Sequence, residues 1–172
     1  PITASLRRKR LRFMAADKWW KNEAFGKLIT ALGGFPVSRG TADREALKRS
    51  ILLIDDGEPL VLFPEGERKS GPEVQPLFDG ATYIAMKAGV PIIPVAIGGS
   101  ERAMPKGAKF IYPRRLHVVV GEPMSVPDAE NSKLQRVAAQ QLTVELRDEL
   151  QRLFDRANAV ASGRARRRPT GN

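Results

Sequence analysis

Polar and apolar positions along the chain follow two periods. Lys18 to Leu32 places Trp20, Ala24, Leu28 and Ala31 at helical spacing, and Gly33-Gly34 closes that segment. Asp43 suits the N-cap of a second helix with the stripe Ala46, Leu47, Ser50, Ile51 and Ile54, stopped by Gly57. Asp79 to Ala88 reads as a short helix, and Ser132 to Phe154 as a long charged amphipathic one. Between them lie a short β-compatible segment, Leu11 to Ala15, and a brief strand, Phe35 to Val37. Pro59 to Phe63, Pro91 to Ile97 and Leu116 to Val120 are continuous apolar runs, expected as strands buried on both faces. Strands alternating with helices predict an α/β fold: a mostly parallel sheet flanked by helices, with a long C-terminal helix. One domain over residues 1–160 is expected. Residues 161–172, with SGRARRRPTGN from Ser162, offer no apolar face and are expected as a disordered basic tail.

Composition narrows the chemistry. The 172 residues contain no cysteine, which excludes disulfides, thiolate metal sites and cysteine nucleophiles. The longest apolar stretch, Val90 to Ile97, is broken by Pro91 and Pro94 and is far shorter than the ~20 residues a membrane-crossing helix needs. A start at Pro1 with no leader pattern behind it reads as a cut or processed end. The net charge of +10 is unevenly spread. Residues 1–50 carry 12 basic and 4 acidic side chains, residues 51–100 carry 3 and 7, and residues 151–172 carry 6 and 1. At the front, Arg7, Arg8, Lys9, Arg10 and Arg12 precede Trp19, Trp20 and Phe25. Basic residues beside tryptophans suit an anionic membrane surface, nucleic acid phosphates, or a solvated loop with tryptophans in the core. A nucleic-acid binder would show a basic stripe across the fold, whereas here half the excess lies in residues 151–172, which include the expected tail, and the central block is acidic.

Ligand sites in open α/β sheets gather beyond the carboxyl ends of strands, so the loop after Phe63 is the first candidate. It reads FPEGERKSG. Gly66 permits a sharp turn with free amides, Arg68 and Lys69 add positive charge, and Arg68 is able to bind a phosphate bidentately. Glu65 is placed to orient Arg68 or the turn amides. Arg39, in GGFPVSRG, ends the brief strand and would make a dianion clamp with Arg68. An ordinary strand-end turn with solvated charges is the competing reading of both. Neither GxGxxG nor GxxxxGK[ST] occurs, and the single histidine, His117, sits within a strand pattern without triad or metal-ligand spacing. No metal site is expected.

In this order the motifs resemble the glycerolipid acyltransferase family, typified by 1-acylglycerol-3-phosphate acyltransferase. Arg12 to Gly40 resembles the segment running into the second block, whose arginine Arg39 matches. FPEGERKSG resembles the third block, FPEGTRS, which carries over Phe63, Pro64, Glu65, Gly66, Arg68 and Ser70. VPIIPVAI, Val90 to Ile97, resembles the fourth, with Pro94 at its most typical position. The chain departs from the family in two places. Glu67 stands where threonine is usual, adding negative charge beside the anion site. The first block, His-x-x-x-x-Asp, is missing, and His117 lies after the fourth block, so the resemblance places the catalytic pair upstream of Pro1.

The resemblance implies a glycerol-3-phosphate acyltransferase-like fold. It also implies acyl transfer from acyl-CoA or acyl carrier protein, without a cofactor, to the hydroxyl of a lysophosphatidate-like lipid. Arg39, Glu65, Gly66, Arg68 and Ser70 would hold the acceptor phosphate; Arg10, Trp19, Trp20 and Phe25 would touch an anionic membrane or the acyl chain. A peripheral position on the cytoplasmic face, no nucleic acid partner, and inactivity of this fragment alone are expected. Rival readings are action on another lysolipid, and a non-catalytic lipid-binding relative that has lost its first block.

Overall fold

The structure, a computed structural model, describes residues 11–38, 43–67, 69–105, 107–108, 110–128 and 132–163. It divides into two compact units, Pro1–Phe63 and Pro64–Asn172.

In the first unit, β1 (Arg12–Ala16) leads through a 3-10 turn (Asp17–Lys21) into α1 (Glu23–Ala31), then β2 (Gly34–Val37), α2 (Arg44–Asp55) and β3 (Leu60–Val61). The strands form a parallel sheet in the order β2-β1-β3, with Phe13 opposite Gly34 and Val61. Capping sets where the helices begin. The Asn22 side chain accepts the Phe25 N–H, and Asp43 accepts those of Ala46 and Ser38, which holds its carboxyl below the ordinary carboxylate range. The N-cap at Asp43 and the expected stripe of α2 are both present: Ala46 and Ser50 are buried and Leu47, Ile51 and Ile54 half-buried. Arg12, half-buried, pairs with Glu58 and ties β1 to the entry of β3. PLVLF departs from the expected buried strand. Only Leu60–Val61 are strand, both half-buried, and Phe63 is exposed. Pro59 and Pro64 bracket the run, and proline donates nothing to a sheet ladder.

In the second unit a long loop leads to α3 (Gly80–Ala88), β4 (Val95–Gly98), the short α4 (Ser100–Ala103), β5 (His117–Val120) and α5 (Ser132–Ala161). Strands β4 and β5 run antiparallel, Val95 opposite Val120 and Gly98 opposite His117. This pair differs from the parallel arrangement of the first unit. It is also not buried on both faces: Ala96 and Val119 point into the core, whereas Val95, Ile97, Val118 and Val120 are exposed. Alternate residues face opposite ways, so one helix layer covers only half of them. That layer is α5, whose buried stripe Ala139, Leu142, Leu146, Leu153, Ala157 and Ala161 keeps helical spacing. Ala96, Val119, Leu153 and Ala157 form the core cluster. Gly98 permits the contact, because a Cβ there would collide with the Ala157 backbone. Helices α3 and α5 join through buried Thr82 and Thr143, their hydroxyls 2.8 Å apart. Among the described residues no helix is long and apolar enough to cross a membrane. Most of the expected tail, residues 164–172, lies outside the described residues.

Candidate functional site

The loop that begins the second unit, Pro64 to Phe78, closes on itself. The Phe78 N–H donates to the Pro64 carbonyl at 2.9 Å. Near its start Gly66 adopts φ +71°, and a Cβ there would lie 2.7 Å from Cε2 of Phe78, so the turn requires glycine on two counts. The distal half is fastened to α5. The Val74 N–H donates to Oε1 of Gln151 at 2.7 Å, Nε2 of Gln151 donates to the Pro72 carbonyl at 3.1 Å, and Nε of Arg147 donates to the Val74 carbonyl at 3.3 Å. Val74 itself is buried. A glycine-tipped turn on a base anchored to a helix holds its amides in place without a ligand, the preorganisation an anion site needs.

Charge on the loop is partly compensated. Glu65 is half-buried, and burial pushes its carboxyl above the ordinary range; the Lys69 charge and the Gln75 N–H oppose that shift. Nζ of Lys69 lies 2.6 Å from Oε1 of Glu67. Glu67 therefore offsets the lysine's charge. Ser70 is exposed. Arg68 and Arg39 lie outside the described residues, as does Arg10.

The other expected residues have defined surroundings. Pro94 is buried and its carbonyl accepts the Gly121 N–H at 2.9 Å, while Ile92 bridges Met124, so within the VPIIPVAI segment Pro94 and Ala96 are packed framework and Ile93, Val95 and Ile97 are exposed. Trp20 donates from Nε1 to Thr30 Oγ1 at 3.1 Å, and its ring lies against Gly26. Trp19 and Phe25 are exposed, their ring centroids 5.3 Å apart, with Lys18 Nζ 5.2 Å from the centre of the Trp19 ring. His117 is half-buried in β5. Sequence reasoning missed Phe78, Gln151 and Arg147. The latter two are more than 70 residues from the loop they hold, on a helix whose many charges give them no distinguishing pattern.

Comparison with known proteins follows the same lines. A sequence profile described as acyltransferase matches residues 2–98, a span that contains the loop's turn and the VPIIPVAI segment. The 1-acyl-sn-glycerol-3-phosphate acyltransferase of Bacillus subtilis is 30% identical over 131 residues, covering 75% of this chain and 62% of that protein. A chloroplastic 1-acyl-sn-glycerol-3-phosphate acyltransferase of Brassica napus is 33% identical over 88 residues, covering 50% of this chain and 26% of its own length. The chain thus spans less than two thirds of these relatives. In fold it is similar to the crystal structure of the 1-acyl-sn-glycerophosphate acyltransferase PlsC from Thermotoga maritima, with a TM-score of 0.57 at 24% identity over 80% of this chain and 56% of that one. The profile match over more than half of its length shows that the chain belongs to the acyltransferase family.

Proposed function

We propose that this chain is the acceptor-handling part of an enzyme that transfers a fatty acyl group from acyl-CoA or acyl carrier protein to the free hydroxyl of 1-acylglycerol-3-phosphate. The observation that carries the reading is the glycine-tipped loop at Gly66, inside the span shared with acyltransferases. The relatives' names support the choice of acceptor.

In this reading the phosphate sits on the turn amides of the Gly66 loop, with Arg68 and Ser70 of the same loop as further donors. Their contribution is orientation, because gripping the dianion places the hydroxyl for attack. Glu65, held by the Gln75 N–H, acts on the turn and does not react. A His-x-x-x-x-Asp pair in residues preceding Pro1 supplies the base. The histidine takes the hydroxyl proton as the oxygen attacks the thioester carbonyl, the aspartate stabilises the imidazolium, and collapse of the tetrahedral adduct expels the thiolate, which takes that proton. The ester forms, the thioester breaks, and no covalent enzyme intermediate is required. The protein acts as a peripheral component at the cytoplasmic face of the membrane.

The test is an assay of the protein with its preceding residues included, supplied with lysophosphatidate and acyl-CoA or acyl carrier protein. Phosphatidate with equimolar free thiol is expected. No product with either donor, from protein that still binds lysophosphatidate, would overturn catalysis and favour a lipid-binding relative.

A further inference from the structure

Beyond the carboxyl end of β4 the second unit makes another loop, which leaves α4 at Met104 and enters β5 after Leu116. Its two limbs lie side by side. The Tyr112 N–H donates to the Ala103 carbonyl at 2.7 Å, and a Cβ on Gly99 would collide with the Arg115 carbonyl. Gly99, at φ +84°, donates its own N–H to Oδ1 of Asn158 on α5 at 3.0 Å, so the base of the loop is fixed to the core helix. Glu101 accepts the Gly71 N–H at 3.3 Å, which sets this loop beside the one that carries Gly66.

The outer part of the loop turns large side chains to solvent. Phe110 is 74% exposed, Ile111 75% and Tyr112 49%, and Arg102, Arg114 and Arg115 are exposed with them. Among the described residues none of these three arginines is in an ion pair. In sequence, Arg102 to Arg115 holds five basic residues and no acidic one, directly after the acidic block of residues 51–100. Arginine, tyrosine and phenylalanine are enriched in protein–protein interfaces, where arginine and tyrosine supply much of the binding energy. Their guanidinium forks match carboxylates, and a local excess of one sign steers a partner of the other. Side chains that stand out from the surface meet a protein face, whereas a nucleotide takes a concave site. The tryptophan that marks a lipid-facing segment is absent from this loop.

We infer that Arg102, Phe110, Ile111, Tyr112, Arg114 and Arg115 dock an acidic protein that carries the acyl group as a thioester, acyl carrier protein, beside the Gly66 loop. The inference rests on the acyl-transfer reading and chooses between its two donors, on a surface that reading does not use. Docking here holds the thioester next to the loop that receives the acceptor. Because the limbs of the loop are already paired, little ordering cost opposes the contact.

The experiment titrates fluorophore-labelled dodecanoyl acyl carrier protein with the 172-residue chain and reads anisotropy. Binding is saturable and weakens with salt. Arg114→Glu with Arg115→Glu, and separately Phe110→Ser with Ile111→Ser, each lower the affinity at least about tenfold. Arg44→Glu with Lys48→Glu, the same reversal of two exposed charges on α2, leaves it unchanged. A helical melting curve like the parent's shows that each variant is folded, and the second loop pair carries the test if the first is not. No binding by the parent, full binding by the folded loop variants, or an equal loss in the α2 variant overturns the proposal. So does displacement of the carrier by free coenzyme A that the arginine variant no longer binds, which would make the loop a nucleotide site. Loss of flotation with phosphatidylglycerol vesicles in the loop variants, with carrier binding intact, overturns it as well. In the longer protein, the arginine variant raises KM for the dodecanoyl carrier at least about tenfold and leaves that for dodecanoyl-CoA unchanged. Absence of transfer from both donors in the parent counts against the acyl-transfer reading and leaves the binding result standing.

Discussion

Gly66→Ala perturbs the candidate site where the geometry is tightest. Placing an L-residue at φ +71° costs about 1–2 kcal/mol. The new methyl also lies 2.7 Å from the Phe78 ring. That ring is 68% exposed and able to swing away, so the steric part belongs at the low end of overpacking costs, about 1 kcal/mol. The predicted loss is therefore about 2–3 kcal/mol. In a Phe78→Ala background only the backbone part remains, so the same substitution should cost about 1–2 kcal/mol, and the cycle should show a coupling near 1 kcal/mol. Urea unfolding of the four chains, followed by far-ultraviolet circular dichroism, measures this. Loss of less than about 0.5 kcal/mol on Gly66→Ala, or strict additivity with Phe78→Ala, would refute the argument that ring and turn jointly require glycine.

Other consequences concern buried polar groups and titration. Thr82 and Thr143 share a buried contact while each also reaches a backbone carbonyl, so either threonine changed to valine should cost about 1–2 kcal/mol and the double change less than the sum; additive losses in denaturant melts would contradict this. Asp43→Ala should lose about 1 kcal/mol at neutral pH. Because the folded carboxyl is held low, that stabilisation is present above the unfolded value of about 3.9 and disappears as pH falls through the folded one. Parent and variant melting temperatures should therefore converge in acid; a pH-independent gap would refute the cap. Glu65 has the opposite sign. Its raised value favours the folded state below the unfolded value and that advantage is lost as pH rises through the folded one, so Glu65→Gln should flatten the loss of stability toward neutral pH, as thermal melts across that range would show.

Local chemistry made some parts of the fold readable in advance. Asp43 signalled a cap, Gly33 and Gly57 signalled stops, and the three-and-four spacing located α1, α2 and α5. Strand burial was harder to foresee, because an apolar run records that residues tolerate burial and not how many layers cover them. Val95, Ile97, Val118 and Val120 read like core and face outward. Helix α1 shows the same limit: its periodicity is evident, while the side that meets the sheet is set by small Gly26 and by Ile29, leaving Leu28 exposed. In the candidate loop, Gly66 was legible from its turn residues. The groups that hold the loop, Gln151 and Arg147 on α5 and the Phe78 ring, are tertiary partners with no local trace.

Recognition of an acceptor's phosphate by the segment around Gly66 and Arg68 is the central claim, and a specificity ratio tests it most directly. The protein with its preceding residues is assayed for acyl transfer to lysophosphatidate and to the phosphate-free monoacylglycerol, as parent and as Arg68→Ala. A charge-assisted bond to phosphate is worth about 1.5–3 kcal/mol. The preference of the parent for lysophosphatidate should therefore fall at least about tenfold in the variant, with monoacylglycerol turnover little changed. An identical preference in both proteins would contradict the claim.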